Sequence, residues 1–516
     1  MAKFYITTAI DYANAQPHLG HALEKVGADA IARWRRLNGD DVFFLLGNDE
    51  HSQNVAAKAA ELKMTPLAYC DDMERRFRAA WTKLDVRFDR FIRTTEAAHA
   101  RAVQEIFRRI QAKGDIFKGL YKSWYCVGCE ARKTERDLVD GKCPNHPATP
   151  LQWVEEENYF FRLTKYRDVI LKLVRDTPFV QPEFRRNEMI SVLNEGLEDI
   201  SISRSKSAWG VLVPGDPETV IYVWFDALIN YITGAGFPDD AGLFGKLWPA
   251  DLHVIGKDIT RFHTIIWPAM LLAAGLEPPR SVHVHGFVYA LKGTERYKMS
   301  KSLGTAIDPV AAADRFGADA LRYYLLREVG FENDGDFTWD KFFDRYNSDL
   351  ANDLGNLLNR VVSMTHRYLG GTLAAPGPIR PVDAALRDAV LALPGKITPL
   401  WARFQFPQAL TEIWEQVRKT NAYLEETRPW TANKEGRAAD VAASLRNAAE
   451  AMRIFALLLS PVLPSTAGRI WEQLGIGAPA LESARLDSAR TWEYIQGQTR
   501  VGNPEPIFPR IDSAAE

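Results

Sequence analysis

Two rhythms of hydrophobic and polar positions run along this chain. Phe4-Tyr5-Ile6-Thr7-Thr8-Ala9-Ile10 is an apolar, β-branched run, which predicts a strand. Leu23, Val26, Ala30, Ile31, Trp34 and Leu37 then recur at three- and four-residue steps, which predicts an amphipathic helix ending at Gly39. Val42-Phe43-Phe44-Leu45-Leu46 is apolar without alternation, as a parallel strand buried on both faces would be. Strand, helix and strand in that order predict a βαβ unit, whose ligands sit beyond the carboxyl ends of its strands.

Helical periodicity covers 52–82 and 96–112, and the pattern changes at Gly114-Asp115. Strand-like pieces follow at Tyr121–Tyr125 and Asn158–Leu163, helices at 166–176 and 183–195, then a stretch broken by Gly210, Pro214, Gly215 and Pro217. Apolar strand runs return at Val220–Phe225, Leu252–Gly256 and Val282–Val288, with a helix through Ile259–Ala274. The expectation is one sheet formed by 1–113 and 220–292 and interrupted by an insertion at 114–219. From Pro309 strands largely disappear. Asp308-Pro309 is an N-cap and N1 pair, and helices are predicted at 309–315, 318–328 and from Phe342 to Tyr368. Further helices run to about Leu474, and a tail beyond Gly475 lies on the surface. A linking region at 293–350 thus precedes a helical domain at 351–516. The predicted class is α/β: a Rossmann-type parallel sheet, an insertion, and an all-α C-terminal bundle.

Composition changes this picture little. With 46% hydrophobic and 25% charged residues the chain is an ordinary globular protein. Its net charge of −2 gives no global pull toward nucleic acid, so RNA would need local basic patches. The start runs straight into the first strand, and no apolar run approaches the ~20 residues of a membrane span. A cytoplasmic protein is expected.

Candidate chemistry gathers at three places. His18-Leu-Gly-His21 sits where the first strand hands over to the first helix, and a helix N-terminus attracts phosphate. Gly20 would let a flat ring rest on the backbone. Lys298-Met299-Ser300-Lys301-Ser302 lies in a loop flanked by Gly293 and Gly304, where mobile lysines can follow phosphate charge. Of four cysteines, three fall in Cys126-Val-Gly-Cys129 and Cys143-Pro-Asn-His146. Two such knuckles supply four tetrahedral ligands, so one structural Zn2+ per chain is expected, with His146 or another group as the fourth ligand. Cys70, within a predicted helix, reads as a packed or surface thiol.

The first two motifs, in this order and this far apart, resemble the His-Ile-Gly-His and Lys-Met-Ser-Lys-Ser signatures of class I aminoacyl-tRNA synthetases. The resemblance implies ATP, with Mg2+, as substrate. It implies His18, His21, Lys298 and Lys301 as catalytic groups. Gly20, Gly256, Asp258, His285, Met299, Ser300 and Ser302 complete the implied nucleotide site, with Asp258 placed to accept the ribose hydroxyls. Tyr222-Val-Trp224-Phe-Asp226-Ala227-Leu228-Ile-Asn-Tyr231, Ala9-Ile10-Asp11-Tyr12 and the segment from Asp258 to His263 resemble methionyl-tRNA synthetases. That resemblance spans essentially the whole chain. One departure is Asp11, where relatives often carry Pro or Tyr.

An unbranched, polarisable thioether suits aromatic edges. Tyr12, Trp224 and Tyr231 would supply them, with Ala9, Ile10, Ala227, Leu228 and Ile259 completing an apolar slot. Asp49 would pair the substrate ammonium, and His263 or Tyr12 would hydrogen-bond the sulfur. Asn356, Arg360 and Trp430 resemble anticodon-reading positions, although Trp430 reads equally well as a core aromatic. The implied partners are methionine, ATP and tRNA(Met), initiator tRNA included. An insertion filled by knuckles and two helices leaves little room for an editing domain, which Leu, Ile and Val enzymes need. The rivals are another class I synthetase such as the cysteinyl enzyme, and a non-catalytic RNA-binding relative. With little more than forty residues after the last helices, a monomer is expected.

Overall fold

The computed structural model describes residues 2–129, 131–133, 137–205, 209–292, 295–299 and 307–511. The chain opens with β1 (Lys3–Thr8), β2 (Asp11–Tyr12), α1 (Leu19–Leu37) and β3 (Asp41–Asp49). Then come α2 (Gln53–Glu61), α3 (Pro66–Lys83), β4 (Arg90–Arg93) and α4 (Ala97–Ala112). The periodic stretch 52–82 is therefore two helices. Lys63 adopts φ 56° between them, and Thr65 caps the second through the amide of Ala68 with Pro66 at its first position.

The next region is built on the antiparallel pair β5 (Ile116–Cys126) and β7 (Gln152–Phe161), with β6 (Ala131–Lys133) between them in sequence. After it come α5 (Arg167–Asp176), β8 (Val180–Gln181), α6 (Glu183–Glu195), β9 (Ile200–Ser201) and β10 (Ser203–Ser205). The short β11 (Leu212–Val213) precedes β12 (Asp216–Ile221), α7 (Val223–Leu228), α8 (Asn230–Thr233) and α9 (Ala241–Leu247). β13 (Leu252–Gly256), α10 (Trp267–Ala273) and β14 (Val282–His285) complete the sheet-bearing half.

Seven strands form one parallel sheet in the order β2-β3-β1-β13-β14-β8, with β4 also on β3. Three expectations need correcting. Val220–Phe225 is not a strand of this sheet: β12 stops at Ile221 and pairs with β10 and β11, and Tyr222 then caps α7. Its apolar residues are buried all the same, Phe225 against Phe107 of α4, which imitates a sheet-core run. Conversely β8, from inside 114–219, joins the edge of the main sheet beside β14. Val282–Val288 also divides at Gly286, where a Cβ would lie 2.2 Å from the carbonyl of Asn333. That close approach turns the chain out of the sheet.

Past this turn, β15 (Val288–Lys292), β16 (Glu295–Lys298) and β17 (Gly335–Phe337) make a small sheet, with α11 (Pro309–Phe316) and α12 (Ala318–Tyr324) between them in sequence. α13 (Trp339–Arg345) runs through a widened turn into α14 (Asn356–Leu369). β18 (Thr372–Leu373), α15 (Pro381–Leu391), α16 (Leu393–Ala402), α17 (Phe406–Thr427), α18 (Pro429–Lys434), α19 (Ala438–Leu459) and α20 (Pro464–Gln473) follow. The tail adds α21 (Ala478–Ser483) and β19 (Thr499–Arg500), which pairs with β18, and it buries Val501, Ile507 and Phe508. One hydrophobic core runs from α1 into this helical region, with Trp34 stacked on Trp401 at 4.8 Å and 5°.

Candidate active site

β1 and β13 are neighbours in the sheet, and the connections from them lead to opposite sides. A crevice must open past Thr8 and Gly256, where the order reverses. A cleft of about 1500 Å³ occupies it, lined by His18, Gly20, His21, Gly256, Asp258, His285 and Met299. All the described nucleotide-site expectations therefore meet there. Ser300, Lys301 and Ser302, and the side chain of Lys298, lie outside the described residues.

The two histidines cap their own helix. His18 Nδ1 accepts from the Gly20 amide at 3.0 Å, and His21 Nδ1 accepts from the His18 amide at 3.2 Å. An imidazole accepting at Nδ1 carries its proton at Nε2 when neutral. Both rings are thus held at the helix end that already favours anions. A Cβ at position 20 would sit 2.8 Å from His18 Cε1, so only glycine lets that ring fold back.

A smaller pocket adjoins the cleft. Its walls are Ala9, Ile10, Tyr12, Asp49, Trp224, Ala227, Leu228, Tyr231, Ile259 and His263, all ten expected residues, together with Asn230. Trp224 stacks on Phe262 at 3.8 Å and meets Tyr12 edge-on at 6.1 Å. The free space is about 20 Å³, on the order of one water, so a side chain enters only as these rings part. The expectation for His263 is corrected. Its Nδ1 faces the Ile259 carbonyl at 3.0 Å and its Nε2 faces the Tyr231 hydroxyl at 2.7 Å. Burial also pushes its pKa down to about 4, so the ring is neutral. The Tyr231 hydroxyl donates to Nε2, and no ring N–H remains for a sulfur.

Two buried charge groups behind these walls escaped the sequence reading. Asp226, on α7 between Trp224 and Ala227, faces His51 Nδ1 at 2.7 Å and His99 Nε2 at 2.9 Å. Burial alone would raise its pKa, but the two imidazoles lower it to about 2. A carboxylate inside an apolar run was the available signal. Lys25, fully buried on α1, contacts Asp11 and Glu24, both at 2.7 Å. Glu24 in turn faces His285 at 2.9 Å. The periodicity of α1 marks its apolar positions and carries no sign that Lys25 is buried or what it pairs with.

The knuckles also close. The ligand atoms of Cys126, Cys129, Cys143 and His146 all lie within 4.8 Å of one another. A tetrahedral site needs thiolates about 3.8 Å apart, and the Cys129 and Cys143 sulfurs are 3.4 Å apart. A Cβ at Gly128 would strike the His146 ring at 2.6 Å, so the turn is shaped around that imidazole. The donor set fits a metal ion. Cys70 is buried in α3, far along the chain from the cluster.

In the helical domain, Asn356 is exposed at the start of α14. Arg360, one turn on, lies over the Trp430 ring at 5.6 Å and pairs with Glu425 at 2.6 Å. Trp430 is half-buried on α18 and stands outside the core, which removes the core-aromatic reading.

A parallel sheet with a histidine-capped crevice at its switch point, an insertion whose cysteine and histidine cluster could hold a metal ion, and a helical C-terminal domain are the architecture of a class I aminoacyl-tRNA synthetase. The family described as "tRNA synthetases class I (M)" matches residues 4–152 and 148–362, and "Anticodon binding domain of methionyl tRNA ligase" matches 398–516. Methionine–tRNA ligases of Caldanaerobacter subterraneus subsp. tengcongensis and Thermotoga maritima are 46% and 43% identical over 99% of this chain and 80% and 81% of their own lengths. A Mycobacterium tuberculosis methionyl-tRNA synthetase in complex with methionyl-adenylate superposes with a TM-score of 0.93 at 43% identity, covering 99% of this chain and 100% of that one. The chain belongs to the methionyl-tRNA synthetase family, class I ligases that activate methionine and charge tRNA. Among the described residues no helix is long and apolar enough to cross a membrane.

The Asp226 cluster makes the stability of the pocket wall pH-dependent. Its folded pKa of about 2 lies below the ordinary 3.8, so its contribution is complete above about pH 4 and lost as pH falls through about 2. The stability difference between the parent and Asp226→Asn, from denaturant melts, should shrink by about 2 kcal/mol across that window. A constant difference would contradict the assignment.

Proposed function

We propose that the chain joins methionine to ATP by attack of the amino-acid carboxylate on the α-phosphate, releasing pyrophosphate. The methionyl group then passes to the terminal ribose of tRNA(Met), initiator tRNA included. The observation that carries this reading is a shared wall. Ala9, Ile10, Tyr12, Trp224 and Ile259 line both the cleft and the small pocket, so a carboxylate leaving the pocket points at a nucleotide in the cleft. The relative bound to methionyl-adenylate supports the same arrangement.

In this reading Asp49 pairs the substrate ammonium at the pocket mouth. Aromatic edges of Tyr12, Trp224 and Tyr231 surround the thioether, and Asp258 accepts the ribose hydroxyls beside Gly256 and His285. His18 and His21 donate from Nε2 to phosphate oxygens as charge builds there. Lys298 and Lys301, with Met299, Ser300 and Ser302, cover the β- and γ-phosphates and their Mg2+. The knuckles hold one Zn2+, whose four protein ligands leave no open position. The protein is a cytoplasmic monomer.

Pyrophosphate exchange with each amino acid tests the substrate: methionine alone should support it. His21→Ala should slow exchange by ~2–4 kcal/mol of transition-state stabilisation with methionine affinity nearly intact. A variant that lost methionine affinity and kept its turnover would overturn the role.

Freshly purified protein should carry one zinc per chain, and Cys126→Ser or Cys143→Ser should lose it and destabilise the insertion. Metal analysis finding none in the parent would remove the proposal.

Trp430→Ala should cost ~1–3 kcal/mol in kcat/KM for tRNA, the usual worth of a stacked base. Methionine-dependent pyrophosphate exchange should hardly change. Unaltered tRNA charging would exclude a stacking role.

A further inference from the structure

We infer that Lys25 is a positioning residue that holds the amino-acid subsite and the nucleotide subsite in register, through three bonds from one buried ammonium. This rests on the proposed activity. Its Nζ donates to the Ala9 carbonyl at 2.9 Å, to Asp11 Oδ1 at 2.7 Å and to Glu24 Oε1 at 2.7 Å. Three donors meet three acceptors, which is all an ammonium can offer.

The partners belong to different halves of the site. Ala9 is a wall of the small pocket, and Asp11 precedes Tyr12, another wall. Asp11 also lies on β2, whose Tyr12 is in register with Asp49 of β3. Glu24 lines the cleft and contacts His285 through its second oxygen. His285 Nδ1 faces the Gly286 carbonyl at 2.7 Å, so both ring nitrogens face acceptors and the ring is fixed in rotation. One side chain therefore sets the distance between the strand end that receives methionine and the pair that borders the nucleotide.

The charges require this. Lys25 is 0% exposed, and Asp11 and Glu24 are each 6% exposed. Burial alone would raise both carboxyls, and Lys25 counters it. Glu24 is thereby held below its usual range, whereas Asp11 stays raised at about 7. Without the ammonium, Asp11 would take up a proton and Glu24 would lose its buried cationic partner, so the junction of the subsites would lose the donor its two sides share. Attack on the α-phosphate needs reacting atoms aligned within a fraction of an ångström, so a small drift there would slow the chemistry.

The test uses the full chain with three changes: Lys25→Arg, Lys25→Met, and Lys25→Met combined with Asp11→Asn, which removes one charge of each sign. Methionine-dependent pyrophosphate exchange, melting temperature and tRNA binding are measured for each. For the double variant the expected result is at least a tenfold fall in kcat and a threefold rise in KM for ATP. Melting should shift by only a few degrees and tRNA affinity should not move, with Lys25→Arg retaining more activity than Lys25→Met. The double variant with parental kcat and KM would overturn the inference. So would activity that falls only in step with melting temperature, or failure of all three variants to fold, because each describes a merely structural lysine. Absence of methionine-dependent exchange in the parent would instead overturn the proposed activity itself.

Discussion

The fold depends on one buried ion pair. Asp29, in the middle of α1, accepts from Arg322 at 2.6 Å, from Arg33 at 2.7 Å and from the Arg87 amide at 2.8 Å. Burial would raise its carboxyl, but the two guanidiniums hold it below the ordinary range. Arg322 spends its other donors on carbonyls of Leu84, Asp85, Pro461 and Val462. It therefore joins α1 and the end of α3 to the loop between α19 and α20. Removing Arg322 would leave Asp29 with Arg33 and the Arg87 amide alone and unlink the two domains' helices, and breaking a buried pair typically costs ~3–5 kcal/mol. Because α1 begins with the two histidines that line the cleft, whatever fixes its middle fixes that wall of the site.

α1 is 19 residues long, roughly 28 Å, and each part has its own task. His18 and His21 stand at its start, Glu24 and Lys25 one turn on, Asp29 next, and Trp34 against Trp401 near its end. Its buried face therefore holds three charged residues within an otherwise apolar stripe. Each of them is paired, which is the condition for burying charge at all. The Trp34–Trp401 stack then locks the far end onto the helical domain, so that domain and crevice share a single rigid rod.

Much of this was legible in the sequence. Periodicity located α1 and the parallel strands because burial on one face or two leaves different patterns. The ten pocket residues came from segments resembling a family, and periodicity alone would have returned them as core. What stayed hidden were pairings between distant positions. Lys25 with Asp11, Asp226 with His51 and His99, and Asp29 with Arg322 join residues whose separations carry no local signal. Strand Val220–Phe225 failed for a related reason: β-branched and aromatic residues serve equally as a short strand followed by a buried helix. His146 was already the fourth candidate donor by spacing, and the fold brings its ring to within 4.8 Å of the three sulfurs, a closure that spacing alone left open.

The occupied donors of His263 shape how the side chain is recognised. With Nδ1 on the Ile259 carbonyl and Nε2 receiving the Tyr231 hydroxyl, the deepest polar groups satisfy one another. Tyr5 adds a bond from its hydroxyl to the Tyr231 carbonyl at 2.6 Å, which fixes the tyrosine backbone as well. A thioether thus meets ring edges and apolar walls, and selection among unbranched side chains rests on fit. Fit of that kind discriminates a methylene by only ~1–3 kcal/mol. Tyr12, Asp49 and Asn230 also line this pocket, so a charged or strongly hydrogen-bonding side chain would enter only where it can exchange its hydration for one of these polar groups. Shape therefore does the sorting among apolar side chains, and in the proposed role the parting of Trp224 and Tyr12, which now meet edge-on, would set how much length is admitted.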